Sequence, residues 1–337
     1  MVFIKWVTIK DVAKAAGVSI STVSNALNGV DVLNPDTKAH IIEVADQLNY
    51  IPNLNGRNLK ASQTKVIGLF ITSMQGPYYG TLSDAIFKEC DKNGYELNIY
   101  ISHDCSTIMS NILGKRVDGA IISNEWITDE QIKILENVKI PVVFLDREKK
   151  GDTTASILFD SYHGGVTVAN YLLRLGHKRL GFIHGYMNTY DDMERFRGFR
   201  DTVENNKLTL NKDFILYGYF EEEATNKAVK ELIEKNINLP EAFFAANDVS
   251  ALGCIKALQY KKLSVPEDVS VIGFDDIELC QYFSPKLTTM NNPIKRQGIM
   301  AVLTIIDLIQ GNSSGRIEKL EGRLIERESC KQSALAL

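Results

Sequence analysis

The sequence predicts an α + α/β protein: a three-helix, helix-turn-helix headpiece with a hinge, then two doubly wound parallel-sheet subdomains. Three observations carry this. Residues 8–28 read as two short helices across a tight turn. From residue 66 onward, apolar β-branched runs alternate with helical stretches in two successive series. The first 65 residues carry a charge of +2, whereas the whole chain carries −4.

In the first helix, Thr8 and Asp11 form the two halves of a capping box. Ile9, Val12, Ala13 and Ala16 recur at helical spacing and make one apolar face. Gly17 falls where that helix must end, since glycine enters the left-handed region without a side-chain clash. Ser19 caps the second helix, which turns Val23 and Leu27 inward and Ile20, Ser21, Ser24, Asn25 and Asn28 outward. Small residues at 13, 16 and 17 let the helices cross closely, and the short polar outer face suits hydrogen bonding to base edges in a major groove. The competing reading is a solvated helical hairpin that binds nothing. Asn34-Pro35-Asp36 starts a third helix, with Ile41, Val44, Ala45 and Leu48 facing the core.

Residues 53–65 form the linker. A hinge helix over about 53–60 is marginal in isolation, because it is short and Gly56 costs about 1 kcal/mol relative to alanine. Arg57, Leu59 and Lys60 offer two cations and an apolar wedge of the kind that opens a minor groove. The expected division is therefore 1–52 headpiece, 53–65 hinge and 66–337 body. Within the body, the N-subdomain spans about 66–161 plus 293–323 and the C-subdomain about 162–292 plus 324–330.

Five strands are expected in the first series, at 66–72, 96–102, 119–124, 142–146 and 156–160. Five more are expected at 179–185, 214–220, 242–247, 270–276 and 287–292. Nearly continuous apolar strands between helices imply parallel sheets covered on both faces. Ligands of such sheets bind beyond the carboxyl ends of the strands. There the chain supplies Ser73, Tyr78, Tyr79, Asn124, Arg147, Asp160, Phe220, Asn247 and Asp275, so a cleft between subdomains should bind a small polar molecule.

Composition excludes much else. The five cysteines are scattered and never spaced Cys-x-x-Cys, which argues against a disulfide framework or a zinc site and for a reducing cytoplasm. No run approaches a membrane span and no signal peptide precedes the first helix, so no membrane partner is expected. His163-Gly164-Gly165 has no Gly-x-Ser-x-Gly partner and should open a helix, its glycines allowing close lobe contact. Gly114-Lys115 lacks the spaced glycine of a phosphate loop, and the adjacent Asp275 and Asp276 should diverge. Neither catalysis nor a cofactor is expected.

The motifs Thr8-Ile-Lys-Asp-Val-Ala, Gly17-Val-Ser-Ile-Ser-Thr-Val-Ser24, Leu48-Asn-Tyr-Ile-Pro-Asn53, Lys65-Val-Ile-Gly-Leu69 and Arg116-Val-Asp-Gly119 occur in order. They are followed by Leu175-Gly-His-Lys178, Ala246-Asn-Asp248, Val265-Pro-Glu-Asp-Val-Ser270, Ile272-Gly-Phe-Asp275, Leu287-Thr-Thr289 and Leu324-Ile-Glu-Arg327. Together they resemble the lactose-repressor/galactose-repressor family of bacterial transcription regulators, whose body is similar to periplasmic sugar-binding proteins. The resemblance implies a cytoplasmic homodimer that binds a pseudo-palindromic operator in double-stranded DNA under the control of a small-molecule effector. It places Ile20, Ser21 and Asn25 at base-reading positions, Ser19, Thr22 and Ser24 at caps and phosphate contacts, and Leu59 at the operator centre between Arg57 and Lys60. Tyr79 and Phe220 match aromatic stacking positions, and Arg195, Asn247 and Asp275 match residues that bind hydroxyls or ring nitrogens. Arg147 matches a position that is often arginine in sugar-responsive members, which favours a sugar or sugar derivative. The alternatives are a purine- or phosphoprotein-responsive regulator, or a binding protein without DNA function. Asp191 and Asp192 fall in a variable loop and are left unassigned.

Overall fold

The computed structural model describes residues 7–28, 33–51 and 63–333. The chain forms two compact units, Met1–Thr64 and Lys65–Leu337.

The first unit holds α1 (Ile9–Ala15), α2 (Ile20–Leu27) and α3 (Pro35–Gln47). The Thr8 backbone amide and hydroxyl both donate to Asp11 Oδ2, at 2.9 and 2.7 Å, which completes the expected capping box. Gly17 follows with φ +68°, and Val18 N–H donates back to the Ala13 carbonyl at 3.0 Å, closing the first helix. Ser19 Oγ accepts from Thr22 N–H at 3.1 Å, and Asn34 Oδ1 accepts from Asp36 N–H at 3.0 Å. Val12, Val23 and Ile41 are fully buried, one from each helix, and pin the trio together. Full burial contributes about 1.5–3 kcal/mol for each such side chain, so this small core leaves little margin. On α2 the inward pair is Val23 and Ala26, whereas Leu27 is half-buried.

The second unit contains two six-stranded sheets. The first has the order β11 (Ile317–Leu320), β5 (Thr154–Phe159), β4 (Val142–Phe144), β3 (Gly119–Ser123), β1 (Val66–Ile71), β2 (Glu96–Ile101), and every pairing is parallel. The second has the order β12 (Arg323–Ile325), β10 (Thr288–Asn291), β9 (Ser270–Asp275), β8 (Ala242–Ala245), β6 (Leu180–His184), β7 (Ile215–Tyr217). Only its edge strand β12 runs antiparallel. Helices α4 (Pro77–Lys92), α5 (Cys105–Leu113), α6 (Asp129–Asn137) and α11 (Ile294–Gln310) serve the first sheet; α7 (Ser161–Arg174), α8 (Tyr190–Asn205), α9 (Glu222–Glu234) and α10 (Asp248–Tyr260) serve the second. The two sheets thus define an N-lobe and a C-lobe, and the chain passes between them after β5, β10 and β11. Strands β1, β4, β5, β6 and β8 are buried at every position, as both-face coverage requires.

The structure adjusts several expectations. Strands β11 and β12 lie outside the ten expected strands. Expected strand 214–220 shrinks to Ile215–Tyr217, because Tyr219 and Phe220 take left-handed φ values of +54° and +59°. Asp191 and Asp192 lie in the first turn of α8 rather than in a loop, where acidic side chains suit the helix dipole. His163-Gly164-Gly165 does open a helix, but its glycine serves contact between helices rather than between lobes. A Cβ on Gly165 would lie 2.1 Å from the Arg195 carbonyl oxygen of α8, and one on Gly198 would lie 2.0 Å from the Tyr162 carbonyl oxygen of α7.

His177 is buried to 3% exposure, and both its ring nitrogens lack a hydrogen-bond partner. Burial lowers its pKa below the ordinary 6.5. The unfolded chain therefore binds the proton more tightly, and stability falls as pH drops through about 6.5. Thermal melts between pH 8 and 5 should show this loss, and His177→Gln should flatten it.

Candidate functional site

The outer face of α2 is the candidate DNA-reading surface. Ile20 is 45% exposed, Ser21 and Asn28 are exposed, and Thr22, Ser24 and Asn25 are half-buried. Ser19 Oγ lies 2.7 Å from both Ser21 Oγ and Thr22 Oγ1, so three hydroxyls cluster at the helix start beside its free N–H groups. Asn28 donates to the Ser24 carbonyl at 2.7 Å and closes the other end. Thr8 is exposed but engaged in its capping box. Arg57, Leu59 and Lys60 lie outside the described residues.

In the body, polar side chains from both lobes gather beyond the strand ends. Tyr78 opens α4, and its hydroxyl donates to Gln297 Oε1 at 3.0 Å; Gln297 Nε2 donates in turn to the Ile157 carbonyl at 2.9 Å. Burial, then the charges of Asp191 and Asp275 among others, raises the Tyr78 hydroxyl well above its ordinary pKa. Two C-lobe carboxylates therefore act on an N-lobe hydroxyl. Tyr190 at the start of α8 donates to Glu148 Oε1 at 2.6 Å across the interlobe cleft.

Arg195 sits at the centre of the C-lobe side. It is 4% exposed and lies over the Phe274 ring with 3.8 Å to the centroid. One Nη donates to the Ala246 carbonyl, fixing the side chain. The other Nη stands 3.9 Å from Asp191 Oδ1 and 4.0 Å from Asp275 Oδ1, and Nε has no partner. Both gaps exceed hydrogen-bond distance, so the guanidinium faces two carboxylates with donor capacity left over. Asp275 is held at φ +113° and accepts from Asn292 Nδ2 at 3.1 Å; Asp191 accepts from Ser161 Oγ at 2.6 Å. Burial pushes the Asp275 carboxyl up to about 6 against the pull of Arg195, and it also raises Asp191.

Other expected residues differ in how free they are. Asn247 caps α10 through Ser250 N–H at 2.9 Å, and its Nδ2 donates to the Phe220 carbonyl at 3.3 Å. Asp160 caps α7 through His163 N–H at 3.1 Å, and Ser73 Oγ accepts from Gln75 N–H at 2.9 Å. Tyr79 packs edge-on to Tyr78 with centroids 5.1 Å apart. Asn124 and Arg147 brace the loop after β3. Asn124 donates to the Ser102 carbonyl at 2.9 Å; Arg147 donates to the Asn124 and Ile127 carbonyls and pairs with Asp146 at 2.9 Å. Sequence reasoning left Asp191 unassigned and missed Asn292 and Gln297. The spacing of Asp191 four residues before Arg195 on one helix was a usable signal, since i and i+4 share a face.

Among the described residues no cluster of metal-ligating side chains occurs. None of the described helices is long and apolar enough to cross a membrane.

Two family models match the chain: bacterial regulatory proteins, lacI family, over residues 8–53, and periplasmic binding protein-like domain over residues 169–330. The HTH-type transcriptional repressor PurR of Proteus mirabilis is 35% identical over 329 residues, covering 96% of each chain. The chain belongs to the lacI family of bacterial regulatory proteins. The Haemophilus influenzae (strain PittEE) repressor PurR is likewise 35% identical, over 96% of this chain and 98% of its own. The lac repressor dimer bound to operator and the anti-inducer ONPF superposes with a TM-score of 0.82 at 27% identity, covering 97% of this chain and all of that one. A lacI-family regulator from Enterococcus faecium with bound ribose has a TM-score of 0.72 at 25% identity, covering 80% and 99%. The lacI-family headpiece is thus the helix-turn-helix unit, and its body is the two-sheet α/β unit. The protein is a DNA-binding transcription regulator with a small-molecule effector site, and its relatives are regulators rather than enzymes.

Proposed function

We propose that the protein represses transcription as a homodimer on a pseudo-palindromic operator and that a sugar or sugar derivative in the interlobe cleft controls its operator affinity. The Arg195 arrangement carries this reading. A sugar hydroxyl accepts from a guanidinium and donates to a carboxylate in the same position, so neighbouring hydroxyls lying beside the two pairs bridge Arg195 to Asp191 and to Asp275 across separations of about 4 Å. Phe220 supplies a face for the C–H side of the ring, and Asn247 lies beside it. Ser73, Tyr78, Tyr79 and Asp160 border the same cleft, while Asn124 and Arg147 hold its N-lobe wall in place. A structural relative holds ribose, which fits the reading.

A purine base is the second reading, because a ring amide donates to Asp275 and accepts from Arg195 while stacking on Phe220. The second carboxylate, Asp191, favours the polyhydroxyl ligand. In a thermal-shift panel of sugars and purine bases, a sugar should raise the melting temperature of the body. Stabilisation by purine bases alone would overturn the reading.

On the operator, Ile20, Ser21 and Asn25 read base edges while Ser19, Thr22, Ser24, Thr8 and Asn28 secure the backbone. Asparagine at 25 pairs bidentately with adenine. Two headpieces are needed because a balance of +2 gives modest phosphate affinity per subunit. Exposed Phe87 on α4 and Ile299 and Leu303 on α11 offer an apolar face for the second subunit. Residues 53–65, with Arg57, Leu59 and Lys60, are the coupling element through which lobe closure alters operator affinity.

A further inference from the structure

Outside the polar centre of the cleft lies an exposed aromatic pair, Tyr186 and Tyr219, set against Phe220 at the margin of the C-lobe core. Tyr186 and Tyr219 are 46% and 47% exposed, yet their ring centroids stand 5.6 Å apart, and Tyr186 stands 6.0 Å from Phe220. The backbone is bent to present them. Tyr219 and Phe220 hold consecutive φ values of +54° and +59°, a conformation costly for aromatic residues.

Several contacts enforce that bend. Gly218 and Tyr219 N–H both donate to the His184 carbonyl, at 2.8 and 3.2 Å. A Cβ on Gly218 would lie 2.1 Å from Thr225 Oγ1, and one on Gly185 would lie 2.1 Å from the Phe220 ring. Asn247 ties the Phe220 carbonyl to the polar centre, so the aromatic group continues the same cleft outward. The Tyr186 hydroxyl donates to Glu221 Oε1 at 3.4 Å, which orients its ring. Burial, then the charges of Glu221 and of Glu125 on the opposite lobe, raises that hydroxyl's pKa; Glu125 also acts on Tyr79. The exposed ring faces therefore stand beside the Glu221 carboxylate.

We propose that Tyr186, Tyr219 and the outer edge of Phe220 form a second stacking subsite, so that the effector is a disaccharide or longer neutral glycoside rather than a single sugar ring. This rests on the sugar reading of the inner site. Exposed aromatic faces stack on the C–H face of a sugar, while Glu221 accepts from its hydroxyls and disfavours a phosphorylated ring.

The test is calorimetric titration of the full chain with matched pairs: glucose against cellobiose and maltose, galactose against lactose and melibiose, xylose against xylobiose. One disaccharide should bind about tenfold or more tightly than its component monosaccharide. Tyr186→Ala and Tyr219→Ala should remove that advantage and leave monosaccharide affinity within about twofold, while Tyr186→Phe retains it. Equal affinity for disaccharide and monosaccharide, or an advantage that survives both alanine variants, overturns the outer subsite and leaves the sugar reading standing. Failure of every carbohydrate to bind overturns both.

Discussion

An Asp275→Asn protein should fold, bind operator as the parent does, and lose its response to effector. Asparagine keeps the shape of the side chain, can still accept from Asn292, and tolerates the φ of +113° at this position. It removes the negative charge that faces Arg195 and the effector. A hydrogen bond to a charged group is worth about 1.5–3 kcal/mol, so effector affinity should fall about 10- to 150-fold. The stability change should have the opposite sign. Burial pushes the Asp275 carboxyl from 3.8 up to about 6, so the folded state holds this proton more tightly than the unfolded chain. That contribution is present below pH about 4 and is lost as pH rises to about 6. The asparagine variant escapes the loss, and its advantage in melting temperature should open over that window. Unchanged effector affinity, measured calorimetrically, would remove Asp275 from the site.

Gly198→Ala should be among the most damaging methyl additions in the body. Glycine to alanine inside a helix ordinarily stabilises by up to about 1 kcal/mol. Here the new carbon would lie 2.0 Å from the Tyr162 carbonyl oxygen, and backbone cannot swing aside as a side chain can. Overpacking of this kind costs about 3 kcal/mol and forces α7 and α8 apart. Because α8 carries Asp191 and Arg195, effector affinity should fall with stability. Gly80→Ala on α4 is the control, since its added carbon meets nothing within 4 Å. Denaturation and effector titration of the two variants check the pair. Equal stability of both would show that the α7–α8 crossing is not tight enough to position the site.

The legible parts of the chain were those set by local chemistry. Thr8 with Asp11, Gly17 at φ +68°, Asn34 ahead of Pro35 and the uninterrupted apolar strands all declare themselves within a few residues. Strands β11 and β12 did not, because edge strands are half exposed: Ile317–Leu320 and Arg323–Ile325 mix charged and apolar residues and read as loop. At the site, Arg195, Asn247 and Asp275 were recognisable from motif context. The engagement of Arg147 by the Asn124 and Ile127 carbonyls was not, since both partners lie some 20 residues away in sequence. The close approach of Gly165 to Arg195 is likewise a property of the α7–α8 crossing, which no local pattern encodes.

The most direct test of the central claim is operator affinity, with the duplex selected from random sequence and titrated against the full chain with and without a sugar shown to bind the body. A change of about 5- to 150-fold is expected, and at the same sugar concentration Asp275→Asn should show none. An operator affinity identical with and without that bound sugar would contradict the claim.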